Sequence, residues 1–375
     1  MILKIASVFI FLFVAFNLFH HARCPLWLKI AGTAILLLAS LKYQIYQLLG
    51  GAFFAPQMDR WIILLMECLY GALLLLFFLL LLWDIYLAGN WILAKAGMPV
   101  PKRLPAGMIK AGLCGLALAL GAWGVWEAVR VPDVRDVEVK IPNLPPELDG
   151  FSIAQLSDLH VGPLLKKAWL EEVVAKTNAL KPDLIALTGD YVDGRVAVIG
   201  EELAPLADLR AKYGVFGVTG NHEYYWNAAE WAEALKSLGV KLLSNQHEAI
   251  DVNGATIVVA GIPDLAASSF GLPGPDLDEA LKGAPEGLRL LLAHQPKFFK
   301  EAAPKVDLQL SGHTHGGIMF FAQPLIARFN TGYVRGLYNE GGKMLHVSPG
   351  TGLWNGFSCR VGVSAEISRI VLRRG

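Results

Sequence analysis

The chain has 375 residues, 54% of them hydrophobic and only 17% charged, with a mean hydropathy of +0.45. That is too apolar for an ordinary soluble protein and too long for one domain. A formal net charge of +1 offers no basic surface for nucleic acid, and four cysteines without a CxxC pair support neither a disulfide framework nor a zinc ribbon.

The apolar excess lies before about Val131, so residues 1–130 are expected to form an α-helical transmembrane bundle and residues 131–375 a globular domain with its own core. A helix rising ~1.5 Å per residue needs about 20 apolar residues to cross a ~30 Å hydrocarbon core. Ile2 to Phe19 approaches that length. It is expected to remain as an anchor, because His20, His21, Ala22, Arg23 and Cys24 lack the small-residue pattern of a cleavage site. Leu26 to Leu49 is the weakest span: its uninterrupted apolar part runs from Ile30 to Ser40, and Lys42 and Gln44 follow. Trp61 to Trp83 has tryptophans at both ends, with Glu67 as the one costly side chain, in need of a partner or a wet face. Met108 to Val129 also qualifies, and Ala111, Gly115 and Ala119 recur every four residues, a spacing that admits a neighbouring helix.

The expectation is therefore four spans, or three without the weakest, in a multi-pass protein of the cytoplasmic membrane. Lysines and arginines of the loops divide equally between the two sides, Lys42 being counted among them. Only the cluster Lys95, Lys102, Arg103 and Lys110 leans toward a cytoplasmic loop between the third and fourth spans, with the C-terminal domain outside.

After Pro132, Val137 to Ile141 alternates with period two and Asn143 to Pro146 makes a turn. Short aliphatic runs then recur at Ser152 to Leu156, Leu184 to Thr188, Val215 to Thr219, Ala255 to Ala260, Leu288 to Ala293, Leu308 to Ser311 and Lys343 to Val347. Helical periodicity separates them, as in Lys167 to Leu180 and Asn227 to Leu238. Such alternation predicts an α/β domain with a largely parallel central section, whose function collects beyond the carboxyl ends of its strands. The segment Pro263 to Pro285 has no period and reads as a loop, either bordering the site or a plain surface excursion.

Chemistry-bearing residues follow the strand-like runs. They are Asp158 and His160, Asp190 and Asp193, Asn221 with His222 and Glu223, His294, and His313 with His315. Carboxylates and imidazoles in this mix suit Mn, Fe, Zn or Co, and a shared carboxylate can hold two cations close together. Two cations about 3.5–4 Å apart can activate water, neutralise phosphate oxygens and stabilise a leaving alkoxide. Gly189, Gly220 and Gly312 each precede a candidate ligand, where tight backbone approach is easier without a side chain.

Outside this set, His247 and His346 read as surface or core residues, and His20 and His21 as interfacial ones. Tyr224, Tyr225 and Trp226 read as core or rim aromatics, with stacking on a substrate ring as the alternative. For Arg335 and Arg360 exposed salt-bridging is the default reading and a grip on phosphate the other.

The motifs DxH, GDxxD, GNH followed by Glu, a lone His and GHxH stand in that order, and on them the chain resembles the calcineurin-like metallophosphoesterase superfamily. Gly150 to Gly162, Leu290 to Pro296, Tyr333 to Tyr338 and Val347 to Leu372 further resemble its membrane-attached bacterial branch. The resemblance covers roughly Val137 to Gly375 and implies a four-layer αββα sandwich carrying a dinuclear metal centre. It implies that Asp158, His160, Asp190 and His315 hold one divalent ion and Asp190, Asn221, His294 and His313 the other. It makes His222 the acid, oriented by Asp193, with metal-bound water as nucleophile and Glu223 in support.

The implied activity is hydrolysis of a phosphoester or pyrophosphate in a phosphorylated small-molecule or lipid-linked substrate. UDP-2,3-diacylglucosamine suits a cytoplasmic domain, whereas undecaprenyl-type phosphates or scavenged phosphodiesters suit an outward-facing one. A non-catalytic membrane scaffold or sensor is the alternative of another class, opposed by the intact ligand set. A small transporter has only Glu67 in its favour.

Overall fold

The computed structural model describes residues 2–49, 51–52, 54–101 and 105–375, so Lys102 and Arg103 of the basic cluster lie outside the described residues. The chain divides into two units, Met1–Glu127 with Gly356–Cys359, and Ala128–Asn355 with Arg360–Gly375.

The first unit is helical: α1 (Ile2–Phe19), α2 (Leu26–Ser40), α3 (Lys42–Leu48), α4 (Arg60–Lys95) and α5 (Ala106–Val129). Helices α4 and α5 are long and apolar enough to cross a membrane. Helices α2 and α3 form a pair bent by 64°, and the apolar stretch Leu3–Phe19 is shorter. With 36 residues, α4 reaches roughly 54 Å and outlasts a hydrocarbon core of ~30 Å.

The break between α2 and α3 adjoins Lys42, which is buried instead of lying in a loop. Its ammonium group lies 3.0 Å from both carboxylate oxygens of Glu67 and donates to Gly356 O at 3.0 Å. Tyr46 OH and Ser358 N each donate to the same carboxylate at 3.0 Å. The rings of Tyr43 and Tyr70 flank the ammonium at 4.7 and 4.3 Å. Glu67 thus has the partner its position demands. The small-residue face of α5 departs from expectation: a Cβ added to Gly115 would meet nothing within 4 Å, whereas one at Gly121 would lie 2.9 Å from Ala72 N. Close helix approach occurs at Gly121, two residues beyond the end of the stripe.

The second unit holds two six-stranded sheets. Its strands are β1 (Asp133–Ile141), β2 (Ser152–Leu156), β3 (Leu184–Leu187), β4 (Val215–Gly217), β5 (Lys241–Leu242), β6 (Gln246–Val252), β7 (Ala255–Gly261), β8 (Leu288–Leu292), β9 (Leu308–Ser311), β10 (Gly336–Glu340), β11 (Lys343–Val347) and β12 (Glu366–Arg374). One sheet runs β1-β12-β2-β3-β4-β5, the other β10-β11-β9-β8-β7-β6. The runs β2 to β5 and β7-β8-β9-β11 pair parallel, as the alternating pattern predicts. Antiparallel pairs join β12 to β2, β6 to β7 and β10 to β11.

Strand alternation builds the layers. Leu184 and Ala186, Ile257 and Val259, Leu290 and Leu292, and Leu308 and Leu310 share one core between the sheets. The alternate residues face outward: Ala260 and Leu291 pack with Leu277, Ala280, Phe298 and Ala302, from the short helix α7 (Leu277–Ala280) and the segment after β8. Helix α6 (Lys167–Ala179) buries Trp169, Leu170, Val173, Val174 and Thr177 along one face. The result is the αββα sandwich.

Candidate metal centre

Asp158, Asp190 and Asn221 follow β2, β3 and β4, three neighbouring parallel strands. His294 and His313 follow β8 and β9, neighbours in the other sheet. The two strand ends are tied together: Gln155 donates to Ser311 O at 2.9 Å, and His294 Nδ1 donates to Thr188 O at 2.7 Å. Residues from 158 to 315 in sequence therefore converge, as the strand-exit pattern predicts.

Within this crevice Asp158, His160 and His315 form one cluster and Asp190, His294 and His313 another, each with ligand atoms within 4.8 Å of one another. Asp190 Oδ2 stands between them, 3.2 Å from His294 Nε2 and 3.7 Å from His160 Nε2. His315 Nε2 lies 3.5 Å from Asp158 Oδ1 and 3.3 Å from His160 Nε2. His313 Nδ1 lies 3.2 Å from His294 Nε2. Asp193 accepts from His222 Nδ1 at 2.6 Å and from His160 Nδ1 at 3.3 Å, so one carboxylate orients both rings through the same nitrogen.

The backbone is strained where these side chains leave it. Asp158, His160, Asp190, His313 and His315 all have positive φ, from 46° to 70°. For residues with a Cβ, each such left-handed conformation costs about 1–3 kcal/mol and persists only where its surroundings over-determine it. Here they do. Asp158 N donates to Gly189 O at 2.9 Å and His160 N to Asp190 O at 3.1 Å, while His313 N donates to the Asp158 carboxylate at 3.1 Å. His222 N donates to Asp190 Oδ1 at 2.8 Å. Glu223 accepts from Gly220 N at 2.6 Å, Tyr191 N at 2.8 Å and Asp190 N at 3.0 Å, clamping the two turns together. At Gly312 a Cβ would fall 1.9 Å from Ser157 Oγ and 2.1 Å from Asp158 Oδ2, so only glycine permits the approach.

Electrostatics set the charge states. Burial pushes the Asp193 carboxyl up, but the imidazoles of His160 and His222 outweigh it and hold it at about 2. Burial pulls His222 down, and the carboxylates of Asp190 and Asp193 reverse that, raising it to about 9. Burial and the neighbouring His294 lower His313 to about 3. Burial and His160 likewise push His315 well below the usual imidazole range. Burial and the nearby Asp190 raise Glu223 to about 7.

This donor set fits divalent cations. His313 and His315 are held neutral with ring lone pairs to give, the Asp190 carboxylate is held ionised by the imidazoles around it, and the buried Asn221 Oδ1 has no hydrogen-bond partner among the described residues.

Other residues take unforeseen places. Asn355 donates to Asp193 Oδ2 from Nδ2 at 3.2 Å and from its backbone N at 3.4 Å, a support that no motif signals. Arg360 is fully buried, contrary to the exposed reading, and donates to the carbonyls of His315, Pro349 and Gly352 at 3.2, 2.8 and 2.7 Å. It fixes the backbone of the GHxH turn. Arg335 is exposed.

Tyr224 is buried, its hydroxyl 2.9 Å from Thr219 Oγ1. Tyr225 is half exposed, with its ring 5.2 Å from that of His222. Phe270, from the segment Pro263 to Pro285, lies 6.0 Å from Tyr225, and Trp354 lies 6.1 Å from His222. That segment does border the site. His346 is a core residue bonded to Gln155 Oε1 at 2.7 Å, and His247 bonds Ala280 O at 2.7 Å.

Residues 151–317 match the calcineurin-like phosphoesterase family. A zebrafish (Danio rerio) transmembrane protein with metallophosphoesterase domain is 34% identical over 84% of this chain and 74% of its own length. The bovine (Bos taurus) protein of that description is 36% identical over 68% of this chain and 60% of its own. An uncharacterised metallophosphoesterase of Campylobacter jejuni is 34% identical over 82% of this chain and 81% of its own length.

Proposed function

The chain belongs to the calcineurin-like metallophosphoesterase family and is a phosphoester hydrolase, and on that premise we propose that it is a multi-pass membrane enzyme working through a dinuclear metal centre on a lipid-linked phosphoester or pyrophosphate. Asp158, His160, Asp190 and His315 would hold one ion, and Asp190, Asn221, His294 and His313 the other. The observation that carries this is the position of Asp190 Oδ2, 3.2 Å from His294 in one cluster and 3.7 Å from His160 of the other. Divalent ions of the Mn, Fe, Zn or Co kind, bound there, supply charge neutralisation for phosphate oxygens and a water made acidic near neutral pH.

The protein's own groups do the rest. Asp193 holds His222 through Nδ1 at 2.6 Å, which leaves Nε2 to hand a proton to the leaving oxygen. Asn355 fixes the far oxygen of the same carboxylate at 3.2 Å, so the ring keeps one orientation through the cycle. The cross-linked turns hold the ligands in place before substrate arrives, which removes reorganisation from the reaction.

The membrane reading has its own support. Helices α4 and α5, with the bent pair α2 and α3 taken as one span, make up to three, and the shorter apolar helix α1 would be the fourth. With Lys42 spent on Glu67, the equal loop count tips toward a cytoplasmic loop between α4 and α5, which puts the C-terminal domain outside. An outward face favours envelope or undecaprenyl-type phosphates over UDP-2,3-diacylglucosamine. A reporter fused after Gly375 tests the face. Chelator-stripped full-length protein reloaded with Mn should hydrolyse bis-p-nitrophenyl phosphate, and lipid pyrophosphates faster. Absence of turnover with all four metals on monoester, diester and pyrophosphate would replace this reading with the scaffold or sensor.

A further inference from the structure

The helical unit contains a cavity of about 1030 Å³, lined by α1, α2, α4 and α5 and by the segment joining α1 to α2. Its walls are apolar through most of their length, with Ile35, Leu36, Leu73 and Leu76 among them. The face of α5 turned to it is made of small residues, Ala106, Gly107, Ala111 and Cys114. In the sequence that face looked like a seat for a neighbouring helix. In the structure helix contact is displaced to Gly121, and the small side chains instead open space.

The polar groups of the lining gather at one end. Asn17, His21 and Arg23 lie at or just beyond the last turn of α1, and Lys110 lies in the first turns of α5. From Lys110 to Leu118, both lining residues, α5 descends about 12 Å into the apolar part. Lys110 donates to Asn17 O, Arg23 is exposed, and Asn17 Oδ1 is buried with no hydrogen-bond partner among the described residues.

We propose that this cavity binds an anionic diacyl phospholipid taken from the bilayer, its phosphate between Arg23 and Lys110 and its chains along the small-residue face of α5. Three observations choose this occupant. The volume sits at the top of the range of small-molecule pockets, about 300–1,000 Å³, and suits a molecule with long apolar parts. The cationic groups of the lining, Arg23 and Lys110, stand only at the end where a headgroup would lie and outnumber the carboxylate held there, that of Asp84, which accepts from Asn17 Nδ2 at 2.5 Å; basic pockets between membrane helices attract anionic headgroups. The buried amide oxygen of Asn17 offers an acceptor for a headgroup or glycerol hydroxyl. A second copy of this chain, the other candidate for a small-residue face, would have no use for cations at the mouth. The inference concerns the helical unit alone and does not rest on the proposed reaction.

The test uses the full chain reconstituted in vesicles of equal parts phosphatidylglycerol and phosphatidylcholine, released in mild detergent and weighed by native mass spectrometry. Wild type should retain one phosphatidylglycerol per chain in preference to phosphatidylcholine. Arg23→Gln with Lys110→Gln should reduce that preference roughly tenfold or more. Ala111→Phe, which fills the cavity and keeps its charges, should lower retention of both lipids. Should the double variant fail to fold, Arg23→Gln alone decides, because its side chain is exposed and a smaller loss of preference is still required of it. Equal retention of the two lipids by wild type, or an unchanged preference in Arg23→Gln, overturns the proposal. So does a dimer mass that Ala111→Phe abolishes, which would give the face to a second copy.

Discussion

The helical unit and the sheet unit both bury charged side chains, but they compensate them differently. In the first, Lys42 and Glu67 answer one another, and Tyr46, Gly356 and Ser358 complete their hydrogen bonds at 3.0 Å each. In the second, Asp158, Asp190 and Asp193 face His160, His222, His294, His313 and His315, in clusters whose potential ligand atoms crowd within 4.8 Å of one another. His313 and His315 are pushed toward neutrality there, and Asn221 Oδ1 is left without a donor. A closed pair of opposite charges is complete as protein. A crowd of acceptors on strained backbone makes physical sense when cations are part of the structure.

Substitutions can break that contrast on either side. The largest effect is expected for Asp190→Ala, which removes the carboxylate shared by both clusters: turnover of bis-p-nitrophenyl phosphate with Mn should fall at least roughly 10³-fold, beyond the 10–100-fold typical of an outer partner. Near-normal turnover would falsify the bridging role. On the helical side Glu67→Gln strands a buried ammonium and should cost about 3–5 kcal/mol in unfolding, while Lys42→Met with Glu67→Leu recovers most of it. Thermal unfolding in detergent reads both, and a double variant as unstable as the single one would show that the pair is not self-contained.

His222→Ala should lower kcat by about 10²–10⁴-fold with bound metal unchanged, since it removes a proton donor and no ligand. Loss of metal along with rate would reassign it. Asp193→Asn should have the smallest effect, about 10–100-fold, through loosened His160 and His222 rings. A loss that matches His222→Ala would mean the carboxylate does more than orient.

Much of the site was legible because its ligands sit in short motifs at strand exits, so Asp158, Asp190, Asn221, His294 and His313 could be placed before any coordinates. The same logic located β2, β3, β8 and β9, which are rich in aliphatic residues and buried on both faces. It missed β5, β6 and β10, which are short or largely exposed edge strands, and β12, which interrupts its apolar residues with Ser368, Arg369 and Arg373. Asn355 was invisible, since its contact with Asp193 spans 162 positions and no pattern marks it. Left-handed backbone at five of the ligand positions was equally hidden, because sequence reports residue type and not φ. Lys42 was read as a loop charge for a related reason: composition records a lysine beside a span, not that its side chain turns inward to a glutamate.

The claim that everything else depends on is the shared pair of cations. Metal analysis of the purified full chain by plasma mass spectrometry, wild type beside Asp190→Ala, addresses it most directly. The account predicts two divalent ions per wild-type chain and a clear loss in the variant. Active wild-type protein with one ion or none, or a variant that keeps both, would contradict it.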